Sequence, residues 1–120
     1  MGKVFINLSN LHTNKWPSDR INGAKEMADG GDIINVAFPL ISPAATKEEV
    51  EEAAKKCVDK VMTYNPDIVF CQGEFSLCFK IVELLKVMNI KVVTVCNERV
   101  ISEENGSQMP VFKFIQFREF

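Results

Sequence analysis

The only histidine of this 120-residue chain is His12. Its imidazole is the side chain whose unperturbed pKa lies nearest neutrality. It sits in the polar run Ser9-Asn10-Leu11-His12, with Lys15 just beyond. There it can donate to a phosphate or act as a general acid; an idle surface histidine would read the same. Ser9 and Asn10 can hold phosphate oxygens, or simply cap the turn they occupy. Trp16 can stack on a base or anchor packing beside Pro17. A second cluster is Gly73-Glu74-Phe75-Ser76. Gly73 permits a close backbone approach. Glu74 opens a helix, where the positive end of the dipole favours a carboxylate by about 0.3–1 kcal/mol. It can accept hydrogen bonds from ribose hydroxyls, act as a base, or merely complement the dipole. It would repel a phosphate on the same helix end, which moves any phosphate toward Lys15, His12 and Arg99. The third cluster is Asn97-Glu98-Arg99. Its guanidinium can clamp a phosphate through paired hydrogen bonds, or pair with Glu98, Glu103 or Glu119. The candidate catalytic residues are therefore His12, Glu74 and Arg99. The candidate ligand contacts are Ser9, Asn10, Lys15, Gly73, Ser76 and Asn97.

Several chemistries are absent. No Gly-x-Gly-x-x-Gly follows the first strand, and neither a Walker phosphate loop nor a Gly-x-Ser-x-Gly nucleophile turn occurs. The four cysteines, Cys57, Cys71, Cys78 and Cys96, form no Cys-x-x-Cys pair, and one histidine cannot complete zinc spacing. No metal and no cofactor are expected. Each cysteine lies in an apolar run and reads as a reduced small hydrophobe in a cytoplasmic protein without disulfides. Fourteen Lys and Arg against 16 Asp and Glu leave a net charge of −2, without the basic footprint of a duplex nucleic-acid binder. Apolar residues at 47% and charged residues at 25% exclude a wholly disordered chain. No apolar run reaches the roughly 18 residues of a membrane span, and Met1 to Asn7 turns polar too soon for a signal peptide. One domain, residues 1–120, is expected, with a radius of gyration of about 14 Å.

Alternating strands and helices must position the three clusters. Lys3 to Leu8 reads as a first strand. Pro17 opens a helix whose stripe is Ile21, Ala24, Met27 and Ala28, and Gly30-Gly31 stops it. Ile33 to Phe38 is a second strand, followed by the loop Pro39 to Pro43. Thr46-Lys47-Glu48-Glu49 is a capping box. Behind it, Val50, Ala53, Ala54, Cys57, Val58 and Val61 fall on one helical face. Asp67 to Gln72 is a third strand, Phe75 to Met88 a third helix capped by Asn89, and Ile90 to Cys96 a fourth strand. A short strand over Asn97 to Glu103, a turn at Asn105-Gly106 and a strand from Met109 to Phe117 complete the chain. There Phe112, Phe114 and Gln116 alternate with Val111, Lys113, Ile115 and Phe117. The class is α/β: a small Rossmann-like three-layer sandwich, mostly parallel, with a C-terminal β-hairpin. Such sheets bind ligands beyond the carboxyl ends of their strands, where strand order reverses. All three polar clusters fall on that rim.

The chain resembles the small stand-alone CRISPR-associated Rossmann-like proteins, relatives of the CARF domains and ring nucleases. The likeness rests on four segments: Ile6-Asn7-Leu8-Ser9-Asn10, the Pro-containing end of the second strand, Gly73-Glu74, and Phe114-Ile115-Gln116-Phe117-Arg118-Glu119-Phe120. It implies a homodimer with a two-fold cleft across the carboxyl rim. It also implies cyclic oligoadenylate as ligand, either sensed or cleaved without metal by a ribose 2′-hydroxyl attacking the adjacent phosphate. Glu74, Arg99 or Lys15, and His12 would then serve ribose positioning, phosphate charge and proton donation. The chain is too short to carry an effector nuclease as well. The alternative is a non-enzymatic sensor, or a structural or interaction subunit of the same fold. Phe112, Phe114, Phe117 and Phe120 would serve such an interface or the core alike.

Overall fold

Short apolar runs build the middle of the sheet. Strands β1 (Phe5–Leu8) and β3 (Ile68–Cys71) are buried at every position, whereas β2 (Ile33–Val36) is mostly half-buried. The computed structural model describes residues 2–104 and 107–120, with side chains outside 102–110. The expected turn at Asn105-Gly106 lies outside the described residues. Helix α1 (Ser18–Ala28) joins β1 to β2, α2 (Lys47–Met62) joins β2 to β3, and α3 (Phe75–Val87) leads to β4 (Lys91–Glu104). β5 (Ser107–Glu119) returns antiparallel to β4. The strand order is β2-β1-β3-β4-β5, with the first four strands parallel. Strand order therefore reverses between β1 and β3.

Period-two alternation sends successive residues to opposite faces. Ile6, Leu8, Val69, Cys71 and Val92 pack under α2 and α3 with Ala54, Val58, Leu77 and Ile81. Phe5, Ile68, Phe70 and Val93 pack under α1 with Trp16, Ala24 and Ala28. The three-layer sandwich is thus present, with one helix on one face and two on the other. The capping box at the start of α2 is formed in both directions, by Thr46 Oγ1 accepting from Glu49 N–H and a Glu49 carboxylate oxygen accepting from Thr46 N–H.

Five details differ from the sequence reading. β1 and β2 are shorter at their ends, as strand boundaries often are. The left-handed residue ending α1 is Asp29 (φ 48°), with Gly30 (φ 80°) after it, and Met88 caps α3 ahead of left-handed Asn89 (φ 62°). The fourth strand and the separate short strand are one continuous strand, because β5 pairs along nearly all of β4. Strict alternation in β5 also fails. A bulge opposite Cys96/Asn97 pairs Cys96 with Gln116 and Asn97 with Phe114, leaving Ile115 as the extra residue. Phe114 and Phe117 consequently share the α1 side, their ring centroids 5.1 Å apart, and both rings lie close to Gly23 of α1.

β4 pairs with β3 only through Lys91, Val92 and Val93. From Thr94 outward its only sheet neighbour is β5, so the hairpin runs on past the carboxyl rim as a two-stranded arm, roughly 35 Å long at about 3.4 Å per residue. The radius of gyration, 15.9 Å, exceeds the value of about 14 Å for a sphere of this length because of that arm.

Candidate functional site

The loop after β1 is held by a buried polar network. Asn7 points to the α1 side and is fully buried. Its amide donates to Leu11 C=O and to Asn35 Oδ1, at 2.9 and 2.8 Å. Ser9 Oγ donates to Asn7 Oδ1 at 2.7 Å. Asn35 Nδ2 donates to Thr13 Oγ1, and Asn35 Oδ1 also accepts from Thr13 N–H. Trp16 Nε1 donates to Leu11 C=O. Every one of these groups would be costly to bury alone, so together they fix the loop's path. Ser9 is spent inside this network. Asn10, His12 and Lys15 are exposed on its outside. His12 Nδ1 accepts from Asn14 N–H at 3.1 Å, capping the short 3-10 turn Thr13–Lys15. The neutral imidazole then carries its proton on Nε2, the nitrogen left for a ligand.

Arg20, on the first turn of α1, is only 7% exposed. Its guanidinium lies 4.1 Å from the Trp16 ring centroid and 4.9 Å from that of Phe70. Its Nε and Nη2 have no hydrogen-bond partner among the described residues. Burial lowers its pKa from the ordinary arginine value, although an arginine keeps its charge. The α1 side of the rim therefore holds a buried cation whose charge the two rings only partly compensate.

The β3–α3 loop goes to the opposite face. Gly73 is needed for packing: a Cβ there would sit 2.2 Å from the ring of buried Phe38. Glu74 is the N-cap of α3. Its carboxylate accepts from Leu77 N–H at 2.8 Å, Ser76 N–H at 3.1 Å and the Ser76 hydroxyl at 2.8 Å. Those hydrogen bonds, from Leu77 N–H first, hold its pKa below the usual carboxylate value. Both Glu74 and Ser76 are thus engaged in the helix start, and they line a shallow hollow of about 230 Å³ with Ile41, Ser42 and Val50. A groove of about 520 Å³ runs along α3 between Gly73, Phe75, Phe79, Val82, Thr94 and Phe120. Its walls are largely apolar.

Asn97 and Arg99 are exposed on the arm. Asn97 pairs with Phe114 and Arg99 with Phe112, and antiparallel partners share a face. Alternation along β4 from Val93 puts Asn97 and Arg99 on the α1 side, with Trp16, Arg20 and the loop that carries His12 and Lys15; the bulge in β5 brings Phe114 and Phe112 to the same side. The structure accordingly divides the sequence candidates. His12, Lys15, Asn97 and Arg99 share one side of the sheet; Gly73, Glu74 and Ser76 belong to the other. Arg20, Asn7 and Asn35 escaped the sequence reading. Arg20 stood among charged residues of a helix start, and the two asparagines interrupted apolar strands without any spacing signal. Among the described residues no cluster of three or more His, Cys, Asp or Glu side chains is placed to hold a metal.

No curated protein matches the chain. A family model does match over residues 3–118, almost end to end, and the chain belongs to the family it describes, the Uncharacterized protein MJ1673 family.

Proposed function

We propose that this is a CRISPR-associated nucleotide-binding protein of the cytoplasm that takes cyclic oligoadenylate on the α1 side of its carboxyl rim, in a cleft completed by a second copy. One observation carries this reading: alternation along β4 from Val93 puts Asn97 and Arg99 on the same side as His12, Lys15 and Arg20, whose Nε and Nη2 have no partner among the described residues. His12, Lys15 and Arg20 stand beside the β1/β3 switch point, where open α/β sheets bind ligands, and Arg99 of the arm lies on the same side. A phosphodiester ring suits that charge. Lys15 and Arg99 would bind phosphate oxygens, Asn97 would hydrogen-bond a sugar or base edge, and His12 Nε2–H would donate to a phosphate or a leaving oxygen. Glu74 is engaged as a cap on the other face and so is not placed to act as base for a ribose 2′-hydroxyl on the α1 side. Binding is therefore the better supported half of the ring-nuclease expectation.

The test uses purified full-length chain with cyclic tetra- or hexa-adenylate in EDTA. A rise in Tm with either ring, reduced about tenfold in affinity by Arg99→Ala or Lys15→Ala, is expected. Absence of any thermal shift with both rings would reject the reading, and chromatography of the same mixtures reports turnover directly.

A second reading is favoured by a separate observation. Phe112 and Ile101 on the arm and Phe75 on α3 are 68%, 65% and 88% exposed. Surfaces of this kind mark interaction sites. A non-enzymatic interaction subunit would show self-association or partner binding with no thermal shift from either ring.

A further inference from the structure

Two thiols meet at the inner wall of the groove along α3. Cys71 closes β3 and is buried, while Cys78 lies on the first turns of α3, is half-buried, and lines the groove with Cys71. Their Sγ atoms are 3.4 Å apart. A disulfide needs about 2.05 Å, so the two sulfurs must close by somewhat more than 1 Å. We propose that Cys71 and Cys78 are a redox-active dithiol that closes to a disulfide when a small organic disulfide enters this groove.

The surroundings give the two sulfurs different roles. The two sulfurs share a hydrogen bond in which either can be the donor; that contact first, with Gly73 N–H, lowers the Cys78 pKa against burial and the nearby Glu74 charge. The same contact and burial raise the Cys71 pKa. Cys78 is thus the attacking thiolate and Cys71 the resolving thiol. In the first step Cys78 Sγ attacks one sulfur of the entering disulfide. The S–S bond breaks, a Cys78 mixed disulfide forms, and one thiolate leaves and takes up a proton. Cys71 then loses its proton and attacks Cys78 Sγ, expelling the second thiolate. The chain gives up two protons and two electrons, and the entering disulfide is reduced to two thiols. The largely apolar walls suit the body of such a molecule.

The probe is oxidised glutathione, added to the full chain at neutral pH and followed by alkylation and mass spectrometry of tryptic peptides. Cys71 and Cys78 share the peptide between Lys60 and Lys80. The expected product is that peptide lighter by two hydrogens and closed to alkylation, while Cys57 and Cys96 remain reduced. Cys71→Ser should halt the reaction at a glutathione adduct on Cys78, and Cys78→Ser should leave Cys71 unmodified. Before oxidation, Cys78 should alkylate at least about a hundredfold faster than Cys57, whose thiol burial pushes up to about 11. Both thiols still open to alkylation after glutathione treatment, or a stable Cys78 adduct in the unsubstituted chain, would overturn the proposal.

Discussion

Glu74 and Gly73 show how a residue type that permits chemistry can be consumed by structure. Glu74's hydrogen bonds hold its folded-state pKa below the ordinary carboxylate value of about 4.3. A depressed folded pKa stabilises above the unfolded value, and that contribution is lost as pH falls through the folded one. Glu74→Gln should therefore lower Tm at pH 7, and the gap from the parent chain should close below about pH 4; a gap independent of pH would contradict the capping role. Gly73→Ala forces a Cβ into the Phe38 ring and should cost about 1–3 kcal/mol in urea denaturation. In a Phe38→Leu background the same substitution should cost measurably less, since residues in contact do not add. Equal costs in both backgrounds would exclude the ring as the reason for glycine. Which polar residues stand near the rim was legible from turn-forming residues after apolar runs. Which of them are free was not, because a cap, a turn network and a binding site draw on the same Ser, Asn and Glu.

The same boundary between legible and hidden appears in the strands and helices. α2 was readable almost residue for residue, since an amphipathic stripe from Val50 to Val61 and a capping box are both local signals. The parallel core was readable because apolar runs such as Ile68-Val69-Phe70-Cys71 need cover on two faces. The arm was not, because the fusion of the fourth strand with the segment after it depends on β5, distant in sequence. The bulge is equally non-local: nothing around Ile115 announces it, and strict alternation places Phe114 and Phe117 on opposite faces. A change of one residue in register flips every side chain beyond it. Deleting Ile115 should therefore turn Phe114 and Phe112 away from the α1 side while Phe117 stays. The lost ring contacts with Phe117 and Gly23 should cost roughly 3 kcal/mol, by analogy with removal of a core aromatic. Unchanged thermal unfolding would mean that the bulge is incidental.

The whole molecule carries an arm that its own globule does not cover. A two-stranded ribbon is marginal in water on its own, and this one exposes Ile101, Val111, Phe112 and Ile115, while α3 exposes Phe75, Phe79 and Val87. Together they offer on the order of 1,000 Å² of apolar side-chain surface, divided between the arm and the α3 face. Self-association through the arm would cover the arm's share of that surface. Ile101→Glu combined with Phe112→Glu adds two charges at positions where the isolated chain makes little use of the side chains. The double variant should therefore keep its circular dichroism spectrum and sediment as a monomer where the parent chain sediments as a dimer. If the parent chain is monomeric at high concentration, the cleft between copies fails, whatever binds at the rim of one. If both chains are dimers, the arm is not what joins them, and the apolar face of α3 becomes the surface to substitute next.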